Sequence, residues 1–183
     1  MLQWLPTPHA PPMRRPRRFD DELMSPPDAG AALDPAVLAA LRAWCEGDAS
    51  SEPEASLRVA SITSAAGLDG AACALDGSHE LSRLGRWRGL LWRLQILARE
   101  CLSAEGALAG LPWDCGWWRD GAIAAAQAFR PRRSTLLMVR AADGASVTAL
   151  RAVLEQNRSH FRAPVCVLVV SAQPLASATR LPG

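Results

Sequence analysis

The sequence predicts an α/β domain: a small mixed or parallel sheet of three to four strands with flanking helices, closed by a C-terminal strand–helix–strand unit. Three observations carry this prediction. Residues 134–141 (STLLMVRA) and 164–171 (PVCVLVVS) are near-continuous apolar runs, as strands buried on both faces of a parallel sheet are. Between them Val147, Leu150, Val153 and Leu154 recur at helical spacing, with Ser146 as the cap of a helix over 146–160. Finally, 49% of the 183 residues are hydrophobic, enough for a sizeable core.

The elements ahead of that unit follow in chain order. Residues 1–33 read as a disordered Pro/Arg-rich tail, because Pro6, Pro8, Pro11, Pro12, Pro16, Pro26 and Pro27 block both helix and central strand. A single domain is then expected over 34–174, with 175–183 as a frayed C-terminal tail. Asp34 suits an N-cap, Pro35 suits the first turn and Gly47 suits a stop, so a helix is expected over 35–46. Leu57, Val59 and Ser61 alternate with Arg58, Ala60 and Ile62, which predicts a strand over 57–63. Residues 71–75 read as a second short strand or as the start of a helix.

A long helix is expected over 78–103. Leu84, Trp87, Leu91, Leu94, Ala98 and Leu102 form its stripe, widened by Leu90, Leu97 and Cys101. That stripe is expected to face the core, each buried leucine contributing roughly 1.5–3 kcal/mol. Asp114 is expected to cap another helix over 115–129, with Trp118, Ala122, Ala125 and Phe129 on one face. From Ala71 on, the element order is similar in outline to small barstar-like inhibitor domains, and no functional residue is carried over from that outline.

Composition excludes some functions. The net charge is +2 and 21% of residues are charged, so the whole chain is neither a polyanion binder nor a disordered acidic segment. Every basic residue is Arg, with no Lys and no Tyr, the mark of a GC-rich, bacterial genome. Arg usage here is therefore weak evidence for phosphate recognition. The five Cys, at 45, 73, 101, 115 and 166, form no C-x-x-C pair and no metal-ligand spacing with His. This points to a reducing, cytoplasmic setting without metal or cofactor. No segment is long and apolar enough to span a membrane.

Three groups of residues are candidates for function. Arg140, Asp143 and Ser146 fall at the carboxyl end of the first strand of the closing unit, where α/β sheets bind ligands. That stretch lacks the glycines of a phosphate loop, and Asp143 would repel an anion. Cys115, at the start of the helix expected over 115–129, is a candidate nucleophile because a helix dipole stabilises a thiolate. Neither G-x-S-x-G nor H-E-x-x-H occurs. Trp92 and Ile96 lie off the stripe of the long helix, which predicts a second contact, with another element of the chain or with another protein. With Trp117, Arg86 and Arg93 they make a candidate partner surface.

The function expected from this is a non-enzymatic bacterial accessory or adaptor protein that binds a protein partner. The alternatives are a small enzyme or ligand-binding domain at the strand ends, or a nucleic-acid binder using Arg86, Arg93 and the Arg14–Arg18 knot.

Overall fold

A computed structural model describes residues 22–47, 57–102, 112–131, 133–140, 144–161, 163–171 and 179–180. Among them six strands form one sheet: β1 (Met24–Ser25), β2 (Leu57–Ile62), β3 (Asp114–Trp118), β4 (Thr135–Arg140), β5 (Val165–Val170) and β6 (Thr179–Arg180). Their order is β1-β3-β4-β5-β2-β6. The four long strands are parallel, with Leu136 opposite both Cys115 and Cys166, and Cys166 opposite Arg58. β1 runs antiparallel to β3, so the sheet is mixed, and it has six strands where three to four were expected.

β4 and β5 are the apolar runs, and alternation sends their side chains to two faces. Leu136, Met138, Cys166 and Leu168 join α1 (Pro35–Glu46) and α2 (Leu68–Leu75) in one cluster. Leu137, Val139, Val165, Val167 and Val169 join α5 (Ile123–Ala128) and α6 (Gly144–Asn157) in the other. The steps β3–α5–β4 and β4–α6–β5 move one way across the sheet. The return from β2 to β3 moves the other way, through α2, α3 (Ser78–Arg83) and α4 (Arg86–Leu102). Right-handed crossovers require opposite faces for these two directions.

Local chemistry sets the boundaries. Asp34 Oδ1 accepts from the backbone N–H of Ala36 at 2.9 Å and of Val37 at 3.4 Å, capping α1 as expected. At the other end, Arg58 Nη1 donates to the carbonyls of Trp44 at 3.0 Å and Cys45 at 3.3 Å. A cation thus satisfies the carbonyl end of α1 and ties the helix to β2. Below the β3–β4 ladder the buried Arg133 reaches Asp114 at 3.8 Å.

The structure departs from the sequence-based expectation at several elements. Of the two readings of residues 71–75 the helical one holds: they belong to α2, whose Ala71 and Ala72 pack in the α1–α2 face of the sheet, while Cys73 Sγ donates to the Asp28 carbonyl at 3.6 Å. The helix expected over 115–129 is β3, a turn and the short α5. Cys115, Trp117 and Trp118 are apolar on both sides of the chain, which a strand between two layers satisfies, and the turn needs the positive φ of Gly121. The barstar-like element order lapses with these two changes. The helix over 78–103 breaks at Leu84, which is extended, into α3 and α4. The helix expected from Ser146 begins at Gly144. Residues 1–21, with the Arg14–Arg18 knot, lie outside the described residues; within the rest of the stretch expected to be tail, Leu23 and Met24 are buried against Trp118 in the α5–α6 face. At the far end, Thr179 and Arg180 pair with β2.

Leu150 on α6 is fully enclosed in the cluster around β4 and β5. Leu150→Ala is expected to lower stability by about 2–5 kcal/mol. Leu150→Asp, which buries a charge without a partner, is expected to abolish the cooperative chemical unfolding transition.

Candidate functional site

The carboxyl edge of the parallel sheet is the ordinary place for a ligand. Here it holds Thr63 after β2, Arg119 after β3, Arg140 ending β4 and Ser171 after β5. The Arg140 guanidinium lies 4.1 Å from the Trp117 ring centroid, a cation–π contact. Trp117 Nε1–H donates to Asp69 Oδ1 at 2.7 Å, and the backbone N–H of Asp28 donates to the same oxygen at 3.1 Å.

Asp69 stands in the first turn of α2, after Gly67 in left-handed conformation. The helix dipole would favour an anion there, and Asp69 already supplies one. Gly70 lies against the Ala32 carbonyl so closely that a Cβ has no room. The segment leading into α1 therefore covers the α2 terminus, and the place where a phosphate would sit is filled by the chain itself. Ser146, in the first turn of α6, is half-buried, while Asp143 lies outside the described residues. Arg140 and Ser146 are thus ends of neighbouring elements, and Arg140 is engaged with Trp117. Among the described residues no group of three or more His, Cys, Asp and Glu is arranged to hold a metal ion.

The thiols are placed for packing. Cys115 is in the interior of β3, fully buried, not at a helix N-terminus, so the electrostatic basis for a nucleophile is gone. Cys45, Cys115 and Cys166 share the α1–α2 face. Hydrogen bonding with Cys166, reinforced by burial, pushes the Cys45 thiol well above the usual range. A thiol held protonated in this way is a small hydrophobe.

α4 is the unexpected element. The side that meets the body is made by Gly89, Trp92 and Ile96. Ile96 is 6% exposed and Trp92 half-buried, so the second contact of this pair is with the chain itself and not with a partner. A Cβ at Gly77 would fall 2.5 Å from the Trp92 ring, and one at Gly89 would fall 3.2 Å from Leu81. Two glycines thus admit the helix at close range. Trp117, also a candidate for the partner surface, is 5% exposed under Arg140.

The stripe expected to face the core faces outward instead. Trp87 is 80% exposed, Leu91 65%, Leu97 53%, Leu94 52% and Leu90 46%. At 100° per residue these five lie within an arc of about 120° opposite Ile96. Arg86 and Arg93 border the arc on one side, Arg88 and Arg99 on the other. Sequence reasoning missed this orientation because it ranked faces by hydrophobicity. The available signal was Gly89, whose missing side chain marks the face that approaches its neighbour.

No protein-family model, no curated protein and no solved structure matches the chain.

The buried thiols make a prediction about alkali. The folded pKa of Cys45 is raised above its unfolded value of 9.0. Its stabilisation is complete below that value and is lost as pH rises past it. With no Lys and no Tyr, few other groups titrate there. The melting temperature is expected to hold from about pH 7 to 8 and to fall above about pH 9, less steeply in Cys45→Ala.

Proposed function

We propose that this protein is a non-enzymatic binding module, an accessory or adaptor that docks a protein partner on the outer face of α4. One observation carries the reading: five large apolar side chains stand outward on a helix whose other side is packed. Scattered apolar groups on a surface need no explanation, whereas a contiguous row on one helix does. The strand-end alternative is weakened by Asp69 and by the chain across α2. The thiol alternative is weakened by the burial of Cys115. For the nucleic-acid alternative, Arg86 and Arg93 lie together on one border, but the other arginines of α4 lie across the apolar row from them.

A cytoplasmic bacterial setting fits the Arg-only composition and the cysteines. It also fits the lack, among the described residues, of a helix long and apolar enough to cross a membrane.

Magnitudes describe the complex. Fully burying a large apolar side chain contributes roughly 1.5–3 kcal/mol. Five that are already partly covered contribute on the order of 5–9 kcal/mol, against roughly 4–15 kcal/mol for loss of free motion on association. The apolar face alone therefore supports a weak, exchanging complex, and a tighter one needs the arginines as well.

A photo-crosslinking residue at position 91 is expected to capture a discrete protein in the native cell, whereas one at the exposed position 155 on α6 is not. Leu94→Glu should abolish the adduct and leave the melting temperature within a few degrees. Identical adducts from both positions, or adducts indifferent to Leu94→Glu, would overturn the reading. Trp92→Ala and Ile96→Ala are expected to destabilise the domain by about 2–5 kcal/mol, because both side chains pack inward.

A further inference from the structure

The exposed row on α4 has a definite spacing. Trp87, Leu90, Leu94 and Leu97 are separated by three, four and three residues, the repeat of a helix–helix seam. Trp87, Leu90, Leu91 and Leu94 enclose a hollow of the kind that receives one side chain from a facing helix. Ala98 leaves a second hollow beside Leu94 and Leu97. A bilayer interior has no shape to match such hollows, whereas a helix does. α4 has 17 residues, roughly 25 Å at about 1.5 Å per residue, long enough for an occupant of nearly five turns.

Charge then selects the kind of helix. α4 carries four arginines and one glutamate, with arginines on both borders of the apolar row. Arg86, Arg88 and Arg99 are exposed. A second copy of this chain would set these rows against each other. A helix with carboxylates flanking its own apolar seam would place Glu or Asp opposite them, the arrangement that steers association and fixes register. Resting on the docking role proposed above, we propose that the occupant is an amphipathic helix of a partner protein, with acidic residues on both sides of its apolar seam.

The test uses the full chain and two synthetic five-turn helices. Both carry Leu at the seam positions; one has Glu at the flanking positions and the other Lys, so that like charges keep each from pairing with itself. The Glu peptide is expected to bind at least about ten-fold more tightly than the Lys peptide. Its binding should weaken about ten-fold between 0.1 and 0.5 M salt. Leu94→Glu should abolish it, and Arg86→Glu/Arg99→Glu should transfer the preference to the Lys peptide. These last two positions are exposed, and circular dichroism verifies that the variants fold.

Equal affinity for both peptides, or none for either, overturns the inference. So does concentration-dependent self-association that Leu94→Glu removes. So does binding to phosphatidylglycerol vesicles that exceeds binding to the Glu peptide and is lost in Leu94→Glu. If the cross-link from position 91 forms while the peptides fail, the acidic helix is wrong and the docking face stands. If the cross-link fails too, both fall together.

Discussion

β4 and β5 are buried on both faces, and the other elements answer to that constraint. Each is hydrogen-bonded to a neighbour on both sides, so no backbone edge is left for water. Each sends apolar side chains both ways, so each face needs a covering layer of helix. α1 and α2 supply one layer, α5 and α6 the other. The connections comply because right-handed crossovers that change direction change face. Arg58 fastens the arrangement by joining β2 to the carbonyl end of α1.

The same constraint accounts for the closed carboxyl edge. β3 lies beside β4 and needs a partner on its outer side, where an open row of N–H and C=O groups invites aggregation. Met24 and Ser25 provide it, with Leu23 and Met24 buried as they do so. From there the chain reaches α1 across the first turn of α2, where the Asp28 N–H meets Asp69 and Ala32 lies on Gly70. Protection of the sheet edge and loss of the usual ligand position are one event. Asp69 is then better read as a tether for Trp117 and the incoming segment than as a binding group.

The central sheet was legible in the sequence because β4 and β5 declare themselves by near-continuous apolar runs, and α1 by Asp34, Pro35 and Gly47. β3 was not legible: DCGWW is short, has a glycine in its middle, and begins with an aspartate that imitates a helix cap. α2 was ambiguous because a run of alanines and a cysteine suits any small-residue contact. The candidate site was legible in composition but not in orientation. The sequence marks Trp87, Leu90, Leu91, Leu94 and Leu97 as one apolar face and marks Trp92 with Ile96 as a second. Which of the two turns inward depends on the shape of the receiving surface, and that shape comes from Gly77 and Leu81, outside the helix.

That shape is the reason α4 cannot be treated as a misplaced core helix. Turning it by half a revolution would bury five large apolar residues and release Trp92 and Ile96, a gain on hydrophobic grounds alone. The turn at Gly77, held at φ 75, is fitted to the flat Trp92 ring, and Gly89 lets the helix backbone come up to Leu81. Four leucines and a tryptophan on that side would find no such hollow, and overpacking is itself destabilising. Interior packing thus fixes the helix with its less apolar side inward and its seam outward, and among the described residues nothing covers the seam. The arginines sit between the two sides, at the rims where a docked helix would meet charge. A face of this kind is unfavourable to a lone domain in water, and it acquires a physical rationale when something else in the cell spends part of its time upon it.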